Sequence, residues 1–113
     1  MVEVLNQLGD ITGNDLFNAS SAKNIKDAGR NSVTGVLSGF AIMRKIDDET
    51  GEASVSSVMK IDGELYAGGS KVITNRLQEL VAFMGEKVLD NGVKIEMTEI
   101  ATKSGTGVTF KLV

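Results

Sequence analysis

The sequence predicts a mostly β domain with one helix, on three observations. Residues with high strand propensity recur in runs at 32–46, 54–61, 93–101 and 107–113. Glycines lie between and within these runs, and the chain has thirteen glycines and no proline. Only residues 71–90 show an apolar stripe with helical spacing. A chain of 113 residues is long enough for one domain with a single core.

The N-terminal part is predicted to contain the first strand of this domain. Residues 1–14 are weakly patterned, which leaves a flexible arm and a short strand open as alternatives. The segment DLFNASSA, residues 15–22, is predicted as the strand, because Phe17 and every second residue around it would then share one face. A polar connection, NIKDAGRN, follows it.

The second predicted strand, SVTGVLSGFAIMRKI at 32–46, is longer than an ordinary flat strand. Gly35 and Gly39 lie within it, and glycines inside a strand mark bulges, bends or the close approach of another group. The segment DDETGE, residues 47–52, is predicted as a hairpin turn in which Gly51 has a positive φ. The third strand then runs back with clean alternation of apolar and polar residues.

The second half of the chain is predicted to contain the helix and two further strands. Asp62 and Gly63 have the residue types of a tight chain reversal, and Ser70 is suited to cap the helix. The helix is predicted to end at Asn91-Gly92, where glycine takes left-handed geometry. Its apolar stripe is formed by Ile73, Leu77, Leu80, Met84 and Val88. The last two strands are VKIEMTEIA and GVTFKLV.

The predicted order is strand, long bent strand, strand, helix, strand, strand. This is the order of a five-stranded oligonucleotide/oligosaccharide-binding barrel, the OB-fold, with the helix between the third and fourth strands. We therefore predict a single OB-fold-like domain over 1–113. One helix packed on an antiparallel sheet, as an α+β sandwich, is the alternative that the strand order leaves open.

The residue types that are missing exclude several kinds of site. Without cysteine there is no disulfide, thiolate nucleophile or zinc–thiolate site. Without histidine there is no Ser-His-Asp triad and no imidazole ligand. We therefore expect a protein that is not an enzyme and needs no cofactor or metal. The net charge of −3 is unusual for a nucleic-acid-binding protein, although four of the acids cluster within residues 47–52.

The sequence has neither a membrane-spanning segment nor the pattern of a secretion leader. No apolar run approaches the roughly 18 residues of a membrane span. The first residues, MVEVLNQLGD, do not have the pattern of a secretion leader. We therefore expect a cytoplasmic protein with no membrane partner.

Four stretches occur in a familiar order: LFNA at 16–19, DGELY at 62–66, SK at 70–71 and TKSGTGVTFKLV at 102–113. Together they resemble the small single-stranded DNA-binding proteins of tailed phages that replicate by protein priming. The resemblance implies a protein that coats and protects displaced strands in the host-cell cytoplasm, as a monomer or small homo-oligomer. Phage replication proteins are then further partners to consider. The acidic balance favours an alternative, a small module that binds or inhibits a host protein.

Binding of single strands without sequence preference needs aromatic rings for bases and cations for phosphates. Tyr66 is the leading stacking candidate, since it lies between two turn signals; the alternative is a half-buried tyrosine that packs on the helix start. Phe17 and Phe40 are the other aromatic candidates. Phe83 and Phe110 are predicted to lie in the core, because they follow the apolar faces of their elements.

The candidate phosphate contacts are four cations: Arg44, Lys60, Lys71 and Lys103. Pairing across the turn at 47–52 is predicted to place Arg44 and its neighbour Lys45 opposite residues 53–55. Lys60 then faces the middle of the long strand. A single lysine of this kind is usually an ordinary solvated charge, so a binding groove requires several along one track.

Overall fold

The computed structural model describes all 113 residues, which form one curled sheet with three short to medium helices packed on it. The strands are β1 Val2–Gly9, β2 Lys23–Asn24, β3 Thr34–Ile46, β4 Ala53–Ile61, β5 Glu64–Gly68, β6 Val93–Thr102 and β7 Gly105–Leu112. The helices are α1 Gly13–Phe17, which continues into a 3₁₀ turn at Asn18–Ser21, α2 Ile25–Arg30 and α3 Lys71–Met84.

The sheet has the strand order β2-β5-β4-β3-β6-β7, and β1 is added beside β3. All pairs are antiparallel except the short pair of β2 with β5. The 13-residue β3 pairs with β4 on one side; on the other it pairs first with β6 and then with β1. Because one strand serves two partners on the same side, the sheet curls into an open half-barrel. The prediction of a mostly β domain is confirmed.

The bend in β3 lies where the sequence predicts it. The register between β3 and β4 shifts between Leu37 and Gly39, which marks a bulge. A Cβ atom on Gly39 would lie 2.7 Å from the backbone carbonyl of Asp10, and one on Gly35 would lie 2.3 Å from the Asp62 carboxylate. Gly39 therefore needs to be glycine because backbone approaches it closely, whereas a side chain at position 35 would require the Asp62 carboxylate to shift.

Three local signals are also confirmed. Gly51 has a φ of +74° in the turn between β3 and β4. Asp62 and Gly63, with φ of 50° and 81°, form the two-residue turn between β4 and β5, with the left-handed geometry of a type I′ turn. The Asp62 carboxylate also accepts a hydrogen bond of 2.8 Å from the Val36 N–H, which fixes the turn against β3. Ser70 caps α3 by accepting from the Ile73 N–H.

The main core lies between the sheet and the helices α2 and α3. Alternate residues of the strands point towards it, as the period of two requires. It includes Ile25, Leu37, Phe40, Ile42, Met59, Ile61, Tyr66, Ile73, Leu77, Ile95, Met97 and Phe110. The opposite face of the sheet carries a smaller cluster, formed by Ile11, Ala41 and Val58, and α1 packs beside it. The sheet therefore has one well-covered face and one partly covered face.

The prediction of a strand at 15–22 is wrong, because this segment is helical. Thr12 Oγ1 accepts from the Asp15 N–H, and Asp15 Oδ2 accepts from the Thr12 N–H, at 3.2 and 2.9 Å. This reciprocal capping box satisfies two backbone donors and starts α1, which outweighs the alternation around Phe17. The first strand is instead β1, so residues 2–9 adopt the strand alternative.

The predicted count of five strands and one helix also differs from the structure, which has seven strands and three helices. The additional helices, α1 and α2, lie in the segments that were predicted as a strand and a polar connection. The long helix ends at Met84, well before Asn91-Gly92. Gly85 ends it with a φ of +91°, and Gly92 serves a later turn with a φ of +73°.

Candidate functional site

The largest concavity lies on the partly covered face of the sheet and has a volume of about 920 Å³. We call it the α1 groove. Strands β1, β3, β4 and β5 form its floor, and α1 with the segment that follows forms its wall. The lining residues are Val2, Val4, Met43, Lys45, Ser56, Val58, Ala67 and Gly68 from the sheet, and Gly13, Leu16, Phe17, Ala19, Ser20, Ala22 and Asn24 from the wall.

The α1 groove is predominantly apolar. Nine of its fifteen lining residues are hydrophobic, and Lys45 is the one charged residue among them. Lys45 is exposed and takes part in none of the ion pairs of the protein. Its position on β3 follows from alternation, since Ala41, Met43 and Lys45 point to the face opposite the main core.

Phe17 stands out among the lining residues because its side chain is 86% exposed. It is the last residue of α1, so the capping box that starts this helix also sets where the ring projects. Val2 and Val4 of β1 are exposed beside the same groove. Exposed apolar side chains gathered around one concave surface indicate a place where another molecule binds.

Lys60 fixes the wall of the groove to the floor. Its side chain is only 19% exposed, and Nζ lies 3.6 Å from Asp10 Oδ2 and 3.5 Å from Asp15 Oδ2. Asp10 precedes α1 and Asp15 lies within it, whereas Lys60 belongs to β4. These two carboxylates face the ammonium group of Lys60 and tie α1 to β4. The phosphate contact of Lys60 stays a prediction.

The Asp15 carboxyl links this ion pair to the capping box of α1. The Thr12 backbone N–H, which donates to Asp15 Oδ2, holds the pKa of this carboxyl below its ordinary value of 3.8, and Lys60 acts in the same direction. A pKa that is lower in the folded state stabilises the fold when the carboxyl is ionised. This stabilisation is fully present above about pH 5 and is lost as the pH falls through the folded-state pKa.

Asp15→Asn is therefore expected to lower the unfolding midpoint at pH 7, because asparagine keeps an acceptor but loses the charge that faces Lys60. The difference from the wild type should stay constant between pH 7 and about pH 5 and shrink at lower pH. Thermal unfolding followed by circular dichroism across this range measures it. A difference that is the same at pH 3 as at pH 7 would contradict an ionised Asp15 in this role.

Tyr66 does not project from the corner between β5 and α3. Its side chain is 7% exposed and belongs to the main core. The hydroxyl lies 3.4 Å from Glu64 Oε2, and the Lys23 ammonium lies 6.0 Å from the ring centre. Burial, followed by the negative charge of Glu64, raises the pKa of Tyr66 above its ordinary value. The prediction of an exposed stacking ring at this position is therefore corrected to a packing role.

Two other predicted binding residues are also engaged within the fold. Phe40 is fully buried in the main core. Arg44 Nη2 donates to Glu3 Oε1 at 2.7 Å, and its Nε is buried without a hydrogen-bond acceptor. Arg44 and Lys45 do pair with Val55 and Ser54, as the predicted hairpin requires. Arg44, however, points to the face opposite the α1 groove and does not line it.

Lys71 and Lys103 are exposed and form no ion pairs, but neither lines the groove. Lys71 is the first residue of α3, and Lys103 lies in the turn between β6 and β7. Of the seven predicted binding residues, Phe17 alone lines the groove. None of the four predicted cations therefore lines the α1 groove.

Phe83 was predicted to be buried and is instead 77% exposed. The helix ends one residue later, so Phe83 and Met84 lie past the part of α3 that packs on the sheet. They border a small, mostly apolar hollow of about 100 Å³ together with Leu80, Phe110 and Leu112. The core position of Phe110 is confirmed.

Compared with known proteins, the chain matches no family model, no curated protein and no solved structure. None of the helices combines the length and the apolar character needed to cross a membrane. No group of three or more Asp and Glu side chains is arranged to hold a metal ion.

Proposed function

We propose that this protein binds single-stranded DNA in the α1 groove without sequence preference, and that it coats displaced strands during phage DNA replication. The observation that carries the proposal is the ring of Phe17, which is 86% exposed at a groove of about 920 Å³. An exposed aromatic ring beside a concave surface is what stacking on an unpaired base requires. No catalytic step and no cofactor belong to this proposal.

The sequence resemblance supports the same location. The LFNA stretch at 16–19 contributes Leu16, Phe17 and Ala19 to the wall of the groove. We also propose that the half-barrel is of OB type. The long bent β3 that serves two partners, and the position of α3 between the β4–β5 and β6–β7 hairpins, support this assignment.

Phe17→Ala is expected to weaken binding of fluorescent oligo-dT by about 1–3 kcal/mol, the usual contribution of one stacked base. Phe83→Ala provides a matched control, because it removes another highly exposed phenylalanine that lies outside the groove. Fluorescence anisotropy titrations of wild type and both variants at low salt measure the effect. The logarithm of the binding constant should fall linearly with the logarithm of the salt concentration.

Two results would contradict the proposal. If the wild type does not bind oligo-dT even at low salt, the protein is not a single-stranded DNA-binding protein. If Phe17→Ala and Phe83→Ala bind equally well, the DNA lies elsewhere on the surface. Unchanged circular dichroism of both variants would confirm that the comparison concerns the site and not the fold.

A second candidate function, a module that binds a protein, is favoured by the apolar lining of the groove. Nine hydrophobic lining residues and a single cation also suit an apolar side chain or peptide segment. If oligo-dT does not bind, this function becomes the leading one. The same Phe17→Ala and Phe83→Ala pair then identifies the surface in a binding assay with a host protein extract.

A further inference from the structure

We infer that the α1 groove takes unpaired bases and leaves the phosphate backbone largely in solvent, with one phosphate held at Lys45. This inference rests on the proposed function and specifies the part of the nucleic acid that is recognised. It differs from the usual arrangement of a basic groove that tracks the backbone together with stacking rings.

The lining of the groove suits bases better than phosphates. Removing the flat face of a nucleobase from water costs little free energy, whereas burying the charge of a phosphate requires a cation or several hydrogen-bond donors. The groove offers Phe17, Met43 and Val58 among nine hydrophobic residues, and Lys45 is its one cation. Its chemistry therefore matches bases over most of its surface and a phosphate at one position.

The cations next to the groove are not available to bind phosphates, because acidic partners already neutralise them. Lys23 lies between the lining residues Ala22 and Asn24, but its ammonium group pairs with Glu64. Arg44 is paired with Glu3. A phosphate that recruited either cation would first have to break an existing ion pair.

The charge at the wall of the groove also disfavours a phosphate. Lys60 faces two carboxylates, those of Asp10 and Asp15, so this cluster has a net charge of −1. Asp15 belongs to α1, the helix that also carries Phe17. A phosphate placed beside this acidic cluster would be repelled, whereas a neutral base would not.

The base-directed site therefore predicts selectivity for unpaired strands over duplex. In a duplex the bases are stacked and paired, and the charged backbones are what the outside presents. A site with one available cation gains little from such a ligand. Access to the faces of the bases, and not charge density, should decide which nucleic acids bind.

The experiment compares three fluorescent ligands of equal length: oligo-dT, an abasic oligomer with tetrahydrofuran in place of each nucleoside sugar and base, and a blunt duplex. We expect the abasic oligomer to bind at least about fivefold more weakly than oligo-dT, since each stacked base contributes roughly 5- to 150-fold. The duplex should bind no better than the abasic oligomer. The two single strands carry the same number of phosphates, so their comparison isolates the bases.

The salt dependence tests the single phosphate. For one neutralised phosphate on a single strand, the logarithm of the binding constant should fall with the logarithm of salt with a slope of about −0.7. Lys45→Gln should bring the slope close to zero, and Lys45→Arg should keep it. The double variant Lys71→Gln/Lys103→Gln removes two unpaired cations outside the groove and serves as the matched control with an unchanged slope.

The outcomes separate this inference from the proposed function. Equal binding of oligo-dT and the abasic oligomer, or a slope of about −3 or steeper, would overturn the base-directed site while leaving DNA binding intact. A loss of slope in the Lys71/Lys103 control would also overturn it, because the phosphates would then follow those residues. Absence of binding to all three ligands would reject the proposed function itself.

Discussion

Tyr66→Ala is expected to lower the free energy of unfolding by about 3–5 kcal/mol, the usual cost of removing a large aromatic ring from a core. The ring is 7% exposed and packs among the sixteen residues of the main core. It sits on β5, which pairs with β4 on one side and with the short β2 on the other. The cavity would therefore loosen the attachment of β2 as well. Urea denaturation followed by circular dichroism measures the effect.

Two matched variants show whether the loss of stability comes from burial of the ring. Tyr66→Phe removes only the hydroxyl, and Phe83→Ala removes a ring that is exposed. Tyr66→Phe should cost less than about 1 kcal/mol, because it removes one long hydrogen bond of 3.4 Å to Glu64. Phe83→Ala, at an exposed position, should stay within about 0.5 kcal/mol of the wild type. If Tyr66→Ala were as stable as the wild type but bound oligo-dT more weakly, Tyr66 would contact DNA and the packing role would be wrong.

Much of the fold was predictable because its signals are local. The turn at Asp62-Gly63, the positive φ of Gly51 and the capping serine at position 70 each depend on a few neighbouring residues. The pairing of Arg44 and Lys45 with residues across the hairpin follows from the same local geometry. Signals of this kind survive in the folded protein because tertiary contacts rarely oppose them.

The N-terminal quarter was not predictable for two physical reasons. Strand β1 has a bulge between Val4 and Asn6, which shifts the alternation within only eight residues and hides the strand pattern. The segment 15–22 has an alternating pattern, but the Thr12–Asp15 capping box makes it helical. The first strand of the domain is therefore β1, and the segment predicted as that strand is helical.

The exposure of the aromatic residues depends on tertiary packing, which no local pattern determines. Tyr66 is buried because its strand lies within the sheet, beneath the main core, although turns flank it on both sides. Phe83 is exposed because Gly85 ends α3 earlier than its apolar stripe indicates.

The candidate site was also hidden from local patterns. The α1 groove combines residues from positions 2 to 68 and from most of the elements in that range. Alternation along β3 is the one signal that separates Lys45, on the groove face, from Arg44 on the other face. The apolar floor carries no residue type that marks it in the sequence as a binding surface.

Gly39→Ala is expected to cost about 3 kcal/mol or more of folding free energy, because the added methyl group has no space. A Cβ atom at this position would lie 2.7 Å from both the carbonyl carbon and oxygen of Asp10, and 2.9 Å from its nitrogen. These are backbone atoms, held in place by the 2.7 Å hydrogen bond from the Asp10 N–H to the Ser38 carbonyl. A flexible side chain cannot move aside to relieve the contact.

The same substitution should also disturb the α1 groove, since Asp10 connects β1 to the loop before α1 and pairs with Lys60. Gly13→Ala is the matched control: apart from its chain neighbours and the backbone of its own helix, no atom lies within 4 Å of its added Cβ, and alanine favours the helix that begins there. Urea denaturation should place Gly39→Ala well below the wild type and Gly13→Ala at or slightly above it. An unfolding midpoint of Gly39→Ala equal to that of the wild type would mean that the Asp10 backbone does not rest against β3, and the anchoring of the groove wall would have to lie elsewhere.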